Sequence, residues 1–133
     1  MLSNKPLTIV GDGEQTRDFT YVSDAVDALL AAAQSDRVGR CYNVGSDSPV
    51  SVNRLAQLLG AKETVHIPKR PGEPDCTFAQ TKRIKAELGW SSQVPIEKGV
   101  EQMLAHIDYW RDAPVWTPET IATATADWFK YLG

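Results

Sequence analysis

Short apolar runs along the chain predict β-strands separated by turns and helices. Each run is rich in β-branched residues and is bounded by glycine, proline or polar positions, which is typical of strands. The runs lie at 7–10, 41–44 and 65–68. Their short length indicates a small sheet that helices must cover, since few short strands are marginally stable alone.

A glycine turn follows the first strand and leads into a second strand-like segment. Asp12-Gly13 favours a tight turn because glycine tolerates positive φ. Side chains alternate after it, so that Arg17 and Phe19 would face one side. The simplest interpretation is a hairpin whose Arg17 pairs with Asp18 or Glu14. A guanidinium beside aromatic rings also suits a ligand that carries phosphate or a ring.

Apolar residues at helical spacing predict five helices in the rest of the chain. Capping residues and stop signals place the helices at 24–34 after Ser23, between Ser51 and Gly60, at 82–88 after Thr81, at 95–111 from Pro95, and from Thr117-Pro118 onwards. Val22, Val26, Leu29, Leu30 and Ala33 fall on one face of the first helix. Strands that alternate with helices predict an α/β fold with some parallel pairing.

Composition narrows the function classes. The chain has 133 residues, 42% of them hydrophobic, and a net charge of −3, so we expect one domain or part of one. No basic stripe indicates a nucleic-acid partner, and no apolar run approaches the roughly 18 residues of a membrane span. No leader peptide is evident, and Cys41 and Cys76 are isolated, so we expect reduced thiols in the cytoplasm. His66 and His106 lack neighbours at ligand spacing, so no metal site is expected.

Candidate chemistry is limited to two arginines. A dinucleotide fingerprint requires a third glycine at position 16, where this sequence has Thr16. No tyrosine has a lysine four residues later. Arg17 and Arg70 each follow a strand at a loop shaped by glycine or proline. Two guanidinium groups that converge on one anion suit a diphosphate. The alternative for Arg70 is a surface ion pair with Glu73 or Asp75, which contributes little.

Four motifs in register carry a family resemblance. They are Gly-Asp-Gly-x-Gln-Thr-Arg-Asp-Phe-x-Tyr-Val-x-Asp, then Tyr-Asn-Val-Gly with Ser-Val, then Arg-Pro-Gly-Glu-Pro, then Lys-x-x-Leu-Gly-Trp. Together they resemble the C-terminal part of the extended short-chain dehydrogenase/reductases, the NAD-dependent sugar-nucleotide epimerases and dehydratases typified by UDP-glucose 4-epimerase. The resemblance runs from about residue 7 to residue 103. It implies a helix-rich, substrate-binding portion of a Rossmann-type fold.

The resemblance implies a role for individual residues. Arg17 and Arg70 would hold the nucleotide diphosphate, Phe19 and Val52 would line the wall around the base or ribose, and Glu73 would reach a ribose hydroxyl. Asp18 and Asp24 match motif positions that brace the loop and the helix start. We expect Arg17 to be fixed by packing and Arg70 to be mobile in its loop.

Two positions depart from the family pattern. Gln80 stands in place of the usual aspartate, which leaves helix capping there to Thr81. Thr77 stands where the 4-epimerases carry a tyrosine that contacts the base.

The family's glycine-rich NAD turn and its catalytic Tyr-x-x-x-Lys pair are both absent from this sequence. The resemblance therefore implies that residues 1–133 form the nucleotide-sugar-binding portion, without the N-terminal NAD-binding portion. We expect no catalytic residue, no bound NAD and no activity in this chain alone, although the parent enzyme would use NAD. The alternatives are a non-catalytic nucleotide-sugar-binding module and a structural fragment that pairs with another copy. Uncovered strand edges and helix faces favour self-association.

Overall fold

A computed structural model describes residues 5–132 of the chain. Within this range it contains five short strands: β1 Leu7–Val10, β2 Thr16–Arg17, β3 Val50–Ser51, β4 Thr64–Ile67 and β5 Cys76–Thr77. The same range contains six α-helices: α1 Val22–Ala33, α2 Val52–Leu58, α3 Lys82–Leu88, α4 Ile96–Ala105, α5 Pro118–Ala124 and α6 Ala126–Leu132. A short 3-10 helix, Ile107–Trp110, follows α4. The predicted α/β class is confirmed.

The strands form two small sheets. β1 pairs with β4 in parallel, with Leu7 opposite Thr64. β2 is the central strand of the second sheet, antiparallel to β3 and parallel to β5. The predicted hairpin between the first two strands is therefore wrong. The backbone N–H of Gly11 donates to the carbonyl of Ile67. This bond continues the pairing of β1 with β4 beyond the end of β1.

The strand predicted at 41–44 is also wrong, because the structure assigns no strand there. An extended apolar segment becomes a strand only when a neighbour supplies its hydrogen bonds. None of the five strands in the described range pairs with this segment.

Helix ends follow the predicted caps in some places and not in others. Ser51 caps α2 as predicted, since its side chain accepts from the N–H of Arg54. α1 begins one residue before Ser23, which caps nothing. Thr81 makes no capping bond to α3; the side chain of Gln80 accepts from the N–H of Lys82 instead, at 2.9 Å.

The two C-terminal helical segments are shorter than predicted. α4 ends at Ala105 because His106 leaves helical dihedral angles, with φ −115 and ψ 23. The last helix divides into α5 and α6 at Thr125, where φ is −104 and ψ is 6. Pro95 immediately precedes α4 rather than forming its first residue.

The best-buried apolar cluster joins α1 to α3. It consists of Ala28, Ile84 and Trp90, with Tyr42 and Leu88 packed against it. Trp90 packs back on α3 after the glycine that ends the helix, as predicted. The apolar face of α1 is exposed, however: Val22 is 65% exposed and Leu29 is 70% exposed. The side of α1 that is buried carries Asp24 and Ala28.

None of the helices in the described part of the chain combines the length and the apolar character that a membrane-crossing helix needs.

Candidate functional site

Three of the five predicted site residues meet in one charged cluster. The guanidinium of Arg17 donates from Nη2 to Oε1 of Glu73 at 3.0 Å. Nη1 of Arg70 lies 4.0 Å from Oε2 of the same carboxylate. The side chains of Arg17, Arg70 and Glu73 are only 23%, 27% and 18% exposed. Two cations thus converge on one protein carboxylate. For Arg70 this is the ion pair with Glu73 that the sequence offers as the alternative to a ligand role.

Local structure places the two arginines differently. Arg17 lies in the central strand of the second sheet, and its Nη1 also donates to the carbonyl of Thr16 at 2.8 Å. Arg70 lies in the loop after β4, where the N–H of Glu73 donates to the Arg70 carbonyl at 3.3 Å and closes a turn. The turn brings Glu73 back toward both guanidinium groups.

The partners of these arginines correct one expectation and add a contact. Arg17 pairs with Glu73, and not with Asp18 or Glu14. The guanidinium of Arg70 lies near the Glu73 carboxylate and 5.6 Å from the centroid of the Trp128 ring. Asp75 pairs with Lys69 instead of with Arg70.

Charge is unevenly balanced around the cluster. The Lys69–Asp75 ion pair raises the pKa of Lys69 and lowers the pKa of Asp75 from their ordinary values, so both groups stay charged and neutralise each other. Arg17, Arg70 and Glu73 then carry one net positive charge. A half-buried net cation with planar donors attracts an anionic ligand more strongly than an exposed one, because solvent screens it less.

Phe19 and Val52 lie apart from the cluster. β2 ends at Arg17, so the predicted alternation does not continue to Phe19. Phe19 lines an apolar pocket of about 200 Å³ between α2 and α4, together with Leu55 and Val100. Val52 is half-buried at the start of α2, where its N–H donates to the carbonyl of Gln15.

An open pocket of about 600 Å³ lies beside Arg17, and sequence reasoning missed most of its lining. Its other residues are Asp18, Tyr42, Asn43, Val44, Thr77, Phe78 and Ala79. The Tyr-Asn-Val-Gly motif was the available indication, because it contributes three of these side chains. Phe78 is 59% exposed, which leaves an aromatic face open to the pocket.

Asp18 forms the floor of this pocket and joins two loops. Its carboxylate accepts from the N–H of Ser46 at 2.7 Å and from the N–H of Ala79 at 3.1 Å. Gly45 makes this approach possible, since a Cβ there would lie 2.4 Å from Oδ2 of Asp18 and 2.5 Å from the Cβ of Ala79. The bracing role expected of Asp18 is confirmed.

The hydroxyl of Tyr42 is bonded within the protein and not available to a ligand. It donates to Oε2 of Glu87 at 2.8 Å. Burial first, and then this bond to a carboxylate, raise the pKa of Tyr42 above its ordinary value. Tyr42 therefore stays protonated at neutral pH and is not arranged as a base.

Nothing in residues 5–132 groups three or more His, Cys, Asp or Glu side chains so that they could hold a metal ion.

Comparisons with known proteins agree with the geometry. Residues 1–103 match the family described as GDP-mannose 4,6 dehydratase. An uncharacterized UDP-glucose epimerase of Bacillus subtilis is 35% identical over 112 residues, which cover 80% of this chain and 35% of the relative. A dTDP-glucose 4,6-dehydratase of Xanthomonas campestris is 30% identical over 130 residues, which cover 86% of this chain and 36% of that one.

A solved structure shares the fold. The UDP-glucuronic acid 4-epimerase from Bacillus cereus, in complex with UDP-glucuronic acid and NAD, superposes with a TM-score of 0.73 at 32% identity. The match covers 81% of this chain and 37% of the epimerase. The chain thus spans about a third of the length of the proteins it matches.

Proposed function

Because this chain belongs to the GDP-mannose 4,6 dehydratase family of sugar-nucleotide epimerases and dehydratases, we propose that it is the nucleotide-sugar-binding portion of such an enzyme. The relatives are enzymes, and the B. cereus neighbour holds a UDP-sugar and NAD. In this proposal residues 1–133 are the C-terminal portion, and a separate N-terminal portion supplies the NAD site and the catalytic tyrosine. The compartment that we propose is the cytoplasm, where the exposed thiols of Cys41 and Cys76 would stay reduced.

The glycine turn at Gly13 does not fit the pyrophosphate of NAD. The turn packs closely against α2, because a Cβ on Gly13 would lie 2.0 Å from Oδ1 of Asn53. The Asn53 side chain donates to the carbonyl of Asp12 at 3.0 Å. The turn leads into β2 and not into a helix N-terminus. We assign no step of the reaction through NAD to this chain.

The observation that carries the proposal is the cluster of Arg17, Glu73 and Arg70. A diphosphate offers several oxygens to two guanidinium groups, each of which binds two oxygens at once. In the free chain Glu73 takes the place of that anion and keeps the arginines together. When a nucleotide diphosphate binds, Glu73 would release the arginines and turn to a ribose hydroxyl. The open pocket beside Arg17 would receive the rest of the ligand, with Phe78 as an aromatic face.

A calorimetric titration with UDP tests the cluster. Arg17→Lys should weaken UDP binding by roughly 1.5–3 kcal/mol, because lysine keeps the charge but cannot make two parallel hydrogen bonds. Arg70→Lys should also weaken UDP binding, since lysine again replaces the two parallel hydrogen bonds of a guanidinium with a point charge. Arg111→Lys is the matched control, because Arg111 is 66% exposed and pairs with Asp108.

Glu73→Gln separates the two roles of the carboxylate. Removing the competing charge should tighten binding of inorganic diphosphate, while losing the ribose contact should reduce the preference for UDP over diphosphate. If Arg17→Lys and Arg70→Lys both bind UDP like the unmodified chain, the cluster is only an internal ion pair and the proposed site is wrong.

An exposed apolar surface favours a second role, that of association. The exposed apolar residues of α1 are Val22, Val26, Leu29 and Leu30. We propose that these residues and the unpaired segment 41–44 are covered in the parent enzyme by its NAD-binding portion. In the isolated chain a second copy would cover it. Self-association through this surface would accompany nucleotide-sugar binding. It would not replace that function.

A further inference from the structure

The two C-terminal helices contact the loop that carries Arg70, although they lie beyond the residues that match the family. The family match ends at residue 103, whereas α5 and α6 occupy 118–132. The indole N–H of Trp128, on α6, donates to the carbonyl of Pro71 at 2.6 Å. The same ring lies under the guanidinium of Arg70, with 5.6 Å between Cζ and the ring centroid. The side chain of Trp128 thus contacts two adjacent loop residues, Arg70 and Pro71, and Pro71 lies 57 positions earlier in the chain.

Arg70 has few other restraints. Its distance to Glu73, 4.0 Å, is too long for a hydrogen bond, and its buried Nε has no hydrogen-bond partner among the described residues. Arg17, in contrast, makes two hydrogen bonds of 2.8 Å and 3.0 Å. The position of the Arg70 guanidinium therefore depends mainly on the Trp128 ring.

A ring is well suited to hold an arginine that must bind a ligand. A cation over an aromatic face is attracted by the π-electrons, and this attraction uses none of the N–H donors. The planar fork of donors stays free for oxygen atoms. A carboxylate at the same place would instead compete with an incoming phosphate for those donors.

The ring is also a discrete contact and not part of a filled core. An apolar pocket of about 410 Å³ separates α5 and α6 from the start of the loop, and its lining includes Ile67, Pro68, Ile121 and Phe129. Arg70 forms part of its wall. The helix pair consequently touches the candidate site through Trp128 more than through general packing.

We propose that Trp128 is a positioning residue that holds Arg70 for the diphosphate of the nucleotide sugar, so that the C-terminal helix pair tunes the affinity of the site. The proposal rests on the proposed function for the identity of the ligand. The contact of Trp128 with the loop stands independently of it.

The first measurement needs no ligand. The side-chain Nε–H resonance of Arg70 should be displaced by the ring current of Trp128, and Trp128→Leu should move it to an ordinary position. Trp128→Phe, which keeps a ring but loses the N–H, should move it less. Trp116→Phe is the control, since Trp116 is 64% exposed. If Trp128→Leu leaves the Arg70 resonance where it was, the ring does not hold Arg70 and the proposal is wrong.

The second measurement is UDP affinity in a double-mutant cycle. Trp128→Leu should weaken UDP binding about five- to tenfold, as expected for the loss of a cation–π contact and a hydrogen bond. Trp116→Phe should leave the affinity unchanged. In an Arg70→Gln background Trp128→Leu should have no further effect, because its role acts through Arg70. An equal loss in that background would show a general structural role and would overturn the proposal.

These experiments separate the two hypotheses. If the unmodified chain does not bind UDP, the proposed function fails and with it the ligand assigned to Arg70. The resonance of Arg70 then still decides whether Trp128 positions the guanidinium. If UDP binds and depends on Arg17 and Arg70 but not on Trp128, the proposed function stands and the role of Trp128 fails.

Discussion

Single carboxylates hold distant segments of this chain together. Asp24, on α1, accepts from the hydroxyl of Ser92 at 2.6 Å and from the N–H groups of Gln93 and Val94 at 3.1 and 3.0 Å. Asp18 links 46 to 79 in the same manner. Asp18 thus fixes two loops beside the pocket that Arg17 lines, and Asp24 fixes the segment 92–94 to α1.

Asp24 should stabilise the fold in a pH-dependent way. Burial alone would raise the pKa of Asp24, but bonds from Ser92, Val94 and Gln93 outweigh it, so the pKa is lowered from its ordinary value. A lowered pKa in the folded chain contributes stability above the unfolded value of about 3.9 that is lost as the pH falls through the folded pKa. Asp24→Asn should cost about 1.5–3 kcal/mol at pH 7.

Urea unfolding at neutral and at acidic pH checks this expectation. The stability gap between the unmodified chain and Asp24→Asn should narrow below about pH 4, because protonated aspartate resembles asparagine. Asp27→Asn is the control, since Asp27 is exposed on the same helix. A gap that stays constant with pH would mean that the charge of Asp24 contributes nothing.

At the scale of elements, helix starts depend on which side chain reaches the free N–H groups. The hydroxyl of Ser51 accepts from the N–H of Arg54 at 3.1 Å, while Ser23 lies inside α1 and makes no capping bond. The hydroxyl of Thr81 donates to the carboxylate of Asp47. The N–H of Lys82 donates to the side chain of Gln80 instead. Serine and threonine are both favoured at helix N-caps, but of these three residues only Ser51 caps a helix.

Two serine substitutions should separate these cases. Ser51→Ala should lower the free energy of unfolding by about 1 kcal/mol, because it leaves an N–H of α2 without its acceptor. Ser23→Ala should change the free energy of unfolding by no more than a few tenths of a kcal/mol, as for an ordinary helix-interior site. Denaturant unfolding measures both. Equal losses would show that the cap at Ser51 has no special role.

At the scale of the whole molecule, the uncovered stripe of α1 should drive association. Val22, Val26, Leu29 and Leu30 are 46–70% exposed. Sedimentation at about 100 μM, where exposed apolar surface commonly drives association, should reveal dimers or larger species. Leu29→Lys should reduce association.

Val38→Lys supplies the control for that experiment. Val38 is 88% exposed but lies outside α1, so the same change of an apolar residue to lysine should leave association unchanged. A clean monomer of the unmodified chain at the same concentration would contradict the expectation.

The whole chain should also discriminate between NAD and UDP. Calorimetry with NAD should show no saturable heat, because the sequence has no glycine fingerprint and the turn at Gly13 is filled by Asn53. UDP, titrated under the same conditions, is the positive control. A micromolar dissociation constant for NAD would sink this expectation.

The sequence by itself determined the family, the α/β class, the order of most elements and the two arginines. These properties depend on local spacing: apolar periodicity, caps such as Ser51, and motifs whose register survives within one stretch of chain. The family resemblance indicated that Asp18 and Asp24 are structural. The sequence also placed a loop at 69–75, where proline and glycine prevent regular pairing.

Only the tertiary structure decided which surfaces and charges meet. Periodicity showed that Leu29 and Leu30 share a face but not that this face lacks a cover, since burial depends on what packs against it. A short apolar run at 41–44 could not become a strand without a partner. The pairing of Arg17 with Glu73 and the contact of Arg70 with Trp128 join residues more than fifty positions apart. Such contacts follow from the path of the chain in space, which local spacing does not specify.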